Sequence, residues 1–127
     1  MRDILFRGRT IEGKEWVNGY YAVYSSYPFI GAPNSYGTML WFEVHPETVG
    51  QFTGQVDMVG RKIFEGDVLK TEDRIVVVVW HDAAGCWDSN FIKYIEKPST
   101  TGILCSQWRR RATIIGNIHD NPELLEG

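Results

Sequence analysis

Residues 75 to 80 read Ile-Val-Val-Val-Val-Trp, and no other stretch of this 127-residue chain restricts its fold so tightly. β-branched side chains are stiff at χ1, crowd the turns of a helix and pack well on a pleated surface. Turn residues bound the run, Thr71-Glu72-Asp73-Arg74 before it and His81 to Gly85 after it, so it reads as a strand. Elsewhere the alternation of apolar and polar residues stays close to a period of two. No stretch of ten residues carries a period of 3.6, so the chain is expected to be all-β.

The remaining segments follow from the same period. Ile4 and Phe6 alternate with Asp3, Leu5 and Arg7 in a short first strand, and Thr10 to Lys14 forms a turn. In a strand from Trp16 to Tyr24, one face carries Trp16, Asn18, Tyr20, Ala22 and Tyr24, the other Val17, Gly19, Tyr21 and Val23. Both faces are mostly apolar, which fits a strand covered on two sides or one that shows its aromatics to a partner. Ser25 to Gly37 contains Ser25-Ser26, Pro28, Gly31, Pro33-Asn34 and Gly37, and reads as a long loop. Thr38 to His45 is a strand with Leu40, Phe42 and Val44 on one face, and Pro46-Glu47-Thr48 is a tight turn or one helical turn. Asp67 to Lys70, Cys86 to Ile95, Ile103 to Trp108 and Ala112 to Ile118 supply further strands, with a loop from Lys97 to Gly102. Asn121 to Leu125 resembles a helix start that needs docking to be stable.

Many short strands separated by turns imply a barrel or sandwich. The spacing after Gly66 suits a small five-stranded barrel of the SH3 type, which the first half extends or caps as an N-terminal β subdomain. Residues 1–127 are expected to form one domain, divisible if at all into 1–60 and 61–127. A chain this long can bury roughly two-thirds of its unfolded surface, so it needs neither disulfide nor metal to fold.

The net charge of −3 and pI near 5.6 weigh against a protein built mainly to neutralise phosphates. Cys86 and Cys105 lack CxxC spacing and no secretion leader precedes the first strand, so free thiols in a reducing cytoplasm are expected. No apolar run reaches the roughly 18 residues a bilayer demands.

The sequence lacks a phosphate-binding loop, a dinucleotide fingerprint, an HExxH zinc motif and a GxSxG elbow. His81-Asp82 and His119-Asp120 are adjacent pairs whose members face opposite ways on a strand, so neither makes a site by itself. Cys86 near His81 is a nucleophile and base only if the fold brings them together with a pocket; a half-buried thiol is the simpler reading. No catalytic residue, metal ligand or cofactor is therefore assigned. Arg109-Arg110-Arg111 follows Trp108 and forms the sole basic cluster. It can contact nucleic-acid phosphates while Trp108 stacks on a base, or it is a solvated turn or a charge-guarded edge. Aromatics make up 13% of the chain and concentrate between residues 16 and 41, more than one strand pair needs as core. Tyr20, Tyr24, Tyr27, Phe29 and Tyr36 are the candidate interface residues.

Three stretches carry a resemblance. Met1-Arg2-Asp3-Ile4-Leu5-Phe6-Arg7-Gly8 is followed by Glu15-Trp16-Val17-Asn18-Gly19-Tyr20-Tyr21. The middle reads Pro46-Glu47-Thr48-Val49-Gly50-Gln51-Phe52-Thr53-Gly54, then Asp57 and Gly60-Arg61-Lys62-Ile63-Phe64-Glu65-Gly66-Asp67-Val68. The end reads Ile115-Gly116-Asn117-Ile118-His119-Asp120-Asn121-Pro122-Glu123-Leu124-Leu125. In order and spacing these resemble YopX-like proteins of phages and prophages. The resemblance implies a β-rich fold and a phage or prophage origin in a bacterial cytoplasm, and no particular chemistry. The expected role is a non-catalytic accessory protein that contacts itself or a phage or host protein. The alternative is a nucleic-acid-binding small barrel using Trp108 to Arg111.

Overall fold

The computed structural model describes residues 4–96 and 102–126. Their strands are β1 (Phe6–Arg9), β2 (Trp16–Tyr24), β3 (Tyr27–Pro33), β4 (Met39–Glu43), β5 (Gly50–Val56), β6 (Lys62–Phe64), β7 (Asp67–Lys70), β8 (Arg74–His81), β9 (Cys86–Tyr94) and β10 (Thr113–Asn117). One α-helical turn, α1 (Trp108–Arg111), and 3-10 turns at Pro46–Thr48, Cys105–Gln107 and Pro122–Leu125 complete them. The protein is mainly β, as the period of two requires. It divides into two compact units, Met1–Phe52 and Thr53–Gly127. In the first unit the first residues of β5 pair with β1, Phe6 opposite Gln51.

In the first unit β1, β2, β3 and β4 pair in succession, all antiparallel. The β2–β3 turn is Ser25-Ser26, both residues at positive φ (51° and 69°) between the paired Tyr24 and Tyr27. A two-residue turn of that kind matches the twist of its strands. This hairpin overturns the expected loop from Ser25 to Gly37, most of which is β3. Its prolines stand at ladder ends: Pro28 precedes the β3–β4 register of Phe29 to Pro33, and Pro33 lies beyond the β2–β3 register, which stops at Gly31. The core of the unit holds Ile30 and Val44, both fully buried. Gly8 lies against Val44 so closely that a Cβ there would come within 2.9 Å of the valine side chain. The Thr48 hydroxyl accepts from the Arg9 N–H (2.9 Å) and donates to the His45 carbonyl (2.6 Å), tying the 3-10 turn to β1.

In the second unit the sheet runs β10-β7-β8-β9. β8 buries Ile75, Val76 and Val78 and half-buries Val77 and Val79, so its valines serve both faces. Ile63, Leu69, Val76, Val78, Ile103, Trp108 and Ala112 form the apolar cluster. Two expectations fail here. Ile103 to Trp108 is not a strand: it enters a 3-10 turn and then α1, where the Ala112 N–H donates to the Trp108 carbonyl (3.0 Å). Trp108 and Ala112 are four residues apart and both buried, which a helical turn allows and a strand would also permit only without the turn's compactness. Gln107 starts the turn by accepting the Leu104 N–H on Oε1 (2.8 Å). With that segment outside the sheet, β9 and β10 remain as edges and the barrel does not close.

The stretch from Thr53 to Val68 owes its residues to local hydrogen bonding. The buried Asp57 carboxylate accepts the N–H groups of Val59 (3.1 Å), Arg61 (2.9 Å) and Ile114 (3.1 Å), and the Arg61 guanidinium (3.0 Å). Burial works to raise its pKa, but the Ile114 and Arg61 donors and the Arg61 charge outweigh it and hold the carboxyl below its ordinary value. Gly66 takes φ +90°, and the Asp67 carboxylate accepts the Phe64 N–H (2.8 Å) across the same turn. Asp73 and Arg74 form a buried two-point pair (2.8 and 3.1 Å) with the Tyr94 ring 5.3 Å from the guanidinium. Cys86 and Cys105 are free thiols. Among the described residues no helix is long and apolar enough to cross a membrane.

Candidate functional site

Strand register decides which aromatics share a face. Tyr20, Gly31 and Trp41 stand side by side across β2, β3 and β4; Ala22, Phe29 and Glu43 form the next row; Tyr24 and Tyr27 close the hairpin. Side chains two apart along a strand share a face. Tyr20, Tyr24, Tyr27, Phe29 and Trp41 therefore belong to a single surface, and four of the five were singled out from sequence. The fifth candidate, Tyr36, is 91% exposed in the β3–β4 turn, where Asn34 Oδ1 accepts the N–H groups of Tyr36 (2.9 Å) and Thr38 (3.0 Å).

The opposite face carries Ile30 and Val44, which are core. Among the described residues the aromatic face stays open: Tyr24 is 75% exposed, and Tyr20, Tyr27 and Trp41 remain about half exposed. Ala22, Tyr24, Phe29 and Trp41 line an apolar depression of about 320 Å³. Gly31 makes room for the indole, since a Cβ at that position would meet the Trp41 ring at 2.7 Å. Trp41 is the residue that the sequence-based set omitted. Its signal was the register that places it over Gly31, legible only once β3 is recognised as a strand. Met39, two residues earlier on β4, adds to the same surface.

A groove of about 440 Å³ adjoins Trp41 and carries three carboxylates, Glu12, Glu15 and Glu43. A ring of acids beside the aromatic face repels a polyanion and leaves apolar contact as what this surface offers.

The basic cluster is dispersed by its helical turn. Trp108 is fully buried in the second unit's core and has no surface on which a base can stack. Its indole Nε1 has no hydrogen-bond partner among the described residues. The Arg111 guanidinium is engaged by Glu72, through Nε at 2.9 Å and through a closer contact at Nη2, and by Gln107. Arg109 and Arg110 are exposed, and Arg110 lines a shallow depression of about 520 Å³ with Lys70 and Glu72.

The histidines do not converge on a pocket. His81 and Cys86 are partners across the β8–β9 hairpin, and His81 Nδ1 lies 3.6 Å from Asp88, with His81 and Asp88 both half exposed. His45 lies 3.8 Å from Glu47 in the first unit. The His119 N–H donates to Asn117 Oδ1 (3.0 Å) in the turn after β10. Among the described residues no group of three or more His, Cys, Asp or Glu side chains is arranged to hold a metal.

The family model described as YopX protein matches residues 6–126. Among solved structures, the crystal structure of protein EF1440 from Enterococcus faecalis is similar with a TM-score of 0.59 and 25% identity, covering 99% of this chain and 100% of that one. No curated protein matches.

Proposed function

The chain belongs to the YopX family, and from that premise we propose that it is a non-catalytic accessory protein of phage or prophage origin, working by protein–protein contact and associating with itself. The exposed aromatic face of β2, β3 and β4 carries this reading. Aromatic side chains bury about 150–250 Å² each. With about half or more of four such rings open to solvent, plus Met39, the face offers on the order of 500–600 Å² of apolar surface. That reaches the top of what a monomer ordinarily leaves exposed, and it approaches the roughly 800 Å² per partner of a stable interface.

Light scattering coupled to size exclusion tests the proposal. The wild type is expected to be a dimer or larger at high micromolar concentration, and Trp41→Arg, which puts a charge into the apolar depression, is expected to shift it toward monomer. A strictly monomeric wild type would refute self-association.

The alternative, a nucleic-acid-binding surface on the second unit, is supported by Lys70, Arg109 and Arg110, which are exposed on or beside the depression that Arg110 lines. Salt-dependent binding to single- or double-stranded nucleic acid that is lost in Arg109→Ala/Arg110→Ala would favour it; binding unchanged in that variant would remove the site.

A further inference from the structure

We infer that the second copy docks edge to edge on β4, in an antiparallel pairing whose two-fold axis passes at Leu40. The inference rests on the self-association proposed above and adds to it a partner strand and a register.

β4 ends its sheet, and hydrogen bonding along it fixes which backbone groups point outward. The Val44 N–H donates inward to the Pro28 carbonyl of β3 (3.1 Å), whereas the Glu43 carbonyl accepts outward from the Ile11 N–H (3.0 Å). On an antiparallel strand successive residues alternate in this respect. Phe42 and Leu40 therefore bond to β3, while Trp41 and Met39 turn their N–H and C=O groups to the free edge. The segment after β1 covers the edge only at its end, through Ile11 and the single bridge from Thr10 to Val44. Among the described residues, Met39 to Trp41 is open.

Natural edges are guarded by Lys, Pro, bulges or inward-pointing charge. Met39-Leu40-Trp41-Phe42 has no charge and no proline. Such an edge is self-complementary in one register. With the axis at Leu40, Met39 of each copy faces Trp41 of the other, and both residues present outward backbone groups, so each pair exchanges both of its hydrogen bonds. The two Leu40 residues then meet as the close, non-hydrogen-bonded pair. Phe42 faces Thr38, and the new ladder ends there because Ile11 already holds the Glu43 carbonyl, so no like charges oppose each other. An axis at Trp41 would instead set Met39 against Glu43, whose carbonyl Ile11 already occupies.

The same register serves the side chains. Met39 and Trp41 lie on the aromatic face, so their cross-strand contacts join the two faces into one apolar surface. The edge is open at two residues that match each other across the axis and is uncharged there, which favours a second copy over an unrelated extended peptide.

Leu40 is half exposed and tolerates a polar side chain within its own copy. Leu40→Lys places two ammonium groups directly opposite at the axis, as Leu40→Glu does two carboxylates. Like charges there weaken pairing, and opposite charges restore it. Each variant alone is expected to dimerise about tenfold more weakly than wild type, a change of about 1.4 kcal/mol. An equimolar mixture of the two is expected to recover the dimer by light scattering. In a Cys86→Ser/Cys105→Ser background, Leu40→Cys is expected to cross-link on oxidation while Tyr24→Cys does not. A wild type that dimerises while both charge variants dimerise as well as it does would overturn the β4 register and leave self-association standing. A wild type that never dimerises overturns both.

Discussion

Asp57→Asn tests whether the stretch from Thr53 to Val68 owes its residues to folding. The carboxylate is fully buried and accepts three backbone N–H groups and the Arg61 guanidinium. Asparagine keeps the shape but replaces one accepting oxygen with an NH₂ group. If that group takes the place of Oδ2, it faces the donors of Ile114 and Arg61. A buried donor left without an acceptor costs about 1–3 kcal/mol. Arg61 is half exposed, so solvent screens its ionic share and the Ile114 N–H dominates. The expected loss is about 2–4 kcal/mol, or roughly 10 °C in Tm for a chain of this size. Urea unfolding followed by tryptophan fluorescence measures it. Because the folded pKa lies below the usual carboxylate value, the carboxylate stabilises the fold at pH values above that range. The stabilisation disappears as pH falls through the folded value. The gap between wild type and variant should be flat near neutrality and narrow on acidification below about pH 4. A variant within about 0.5 kcal/mol of wild type at pH 7 would refute the reasoning.

Other substitutions test the second unit. Gly66→Ala should destabilise by about 1–2 kcal/mol in urea unfolding, because its φ of +90° is unfavourable for any side chain while the nearest atoms, of Ile118, stand at an ordinary 3.5 Å. Trp108→Ala should cost about 3–5 kcal/mol as a core truncation, read by thermal melting. Arg109→Ala and Arg110→Ala should each leave stability within about 0.5 kcal/mol; Arg111→Ala, which releases Glu72, should cost up to about 1 kcal/mol.

What could be read from the residues depended on how local the governing physics was. β2 follows from side-chain alternation and β8 from its run of β-branched residues, and the structure keeps the two-face division of Trp16 to Tyr24. β3 was hidden because its hairpin turn is Ser25-Ser26 instead of Asn-Gly or Asp-Gly, and because Pro28, Gly31 and Pro33 each count against a strand when taken singly. Only the partner strands explain them: Gly31 lies beneath Trp41, and Pro28 falls beyond the β4 ladder. Ile103 to Trp108 was misread for a related reason. Six residues with mixed polarity fit either period, and the bond from the Ala112 N–H to the Trp108 carbonyl marks the helical turn. Tyr24 and Tyr27 share a face only through the hairpin that the loop reading of Ser25 to Gly37 lacked. Trp41 joins them through Gly31, ten residues away along the chain.

Amide hydrogen exchange at Met39 and Trp41, measured across a concentration series, tests the self-associating edge most directly. The account predicts that these two amides exchange quickly in dilute protein and become protected together as concentration rises, while Leu40 and Phe42 stay protected throughout by β3. Fast exchange at Met39 and Trp41 at every concentration, in protein that scatters as a dimer, would contradict it.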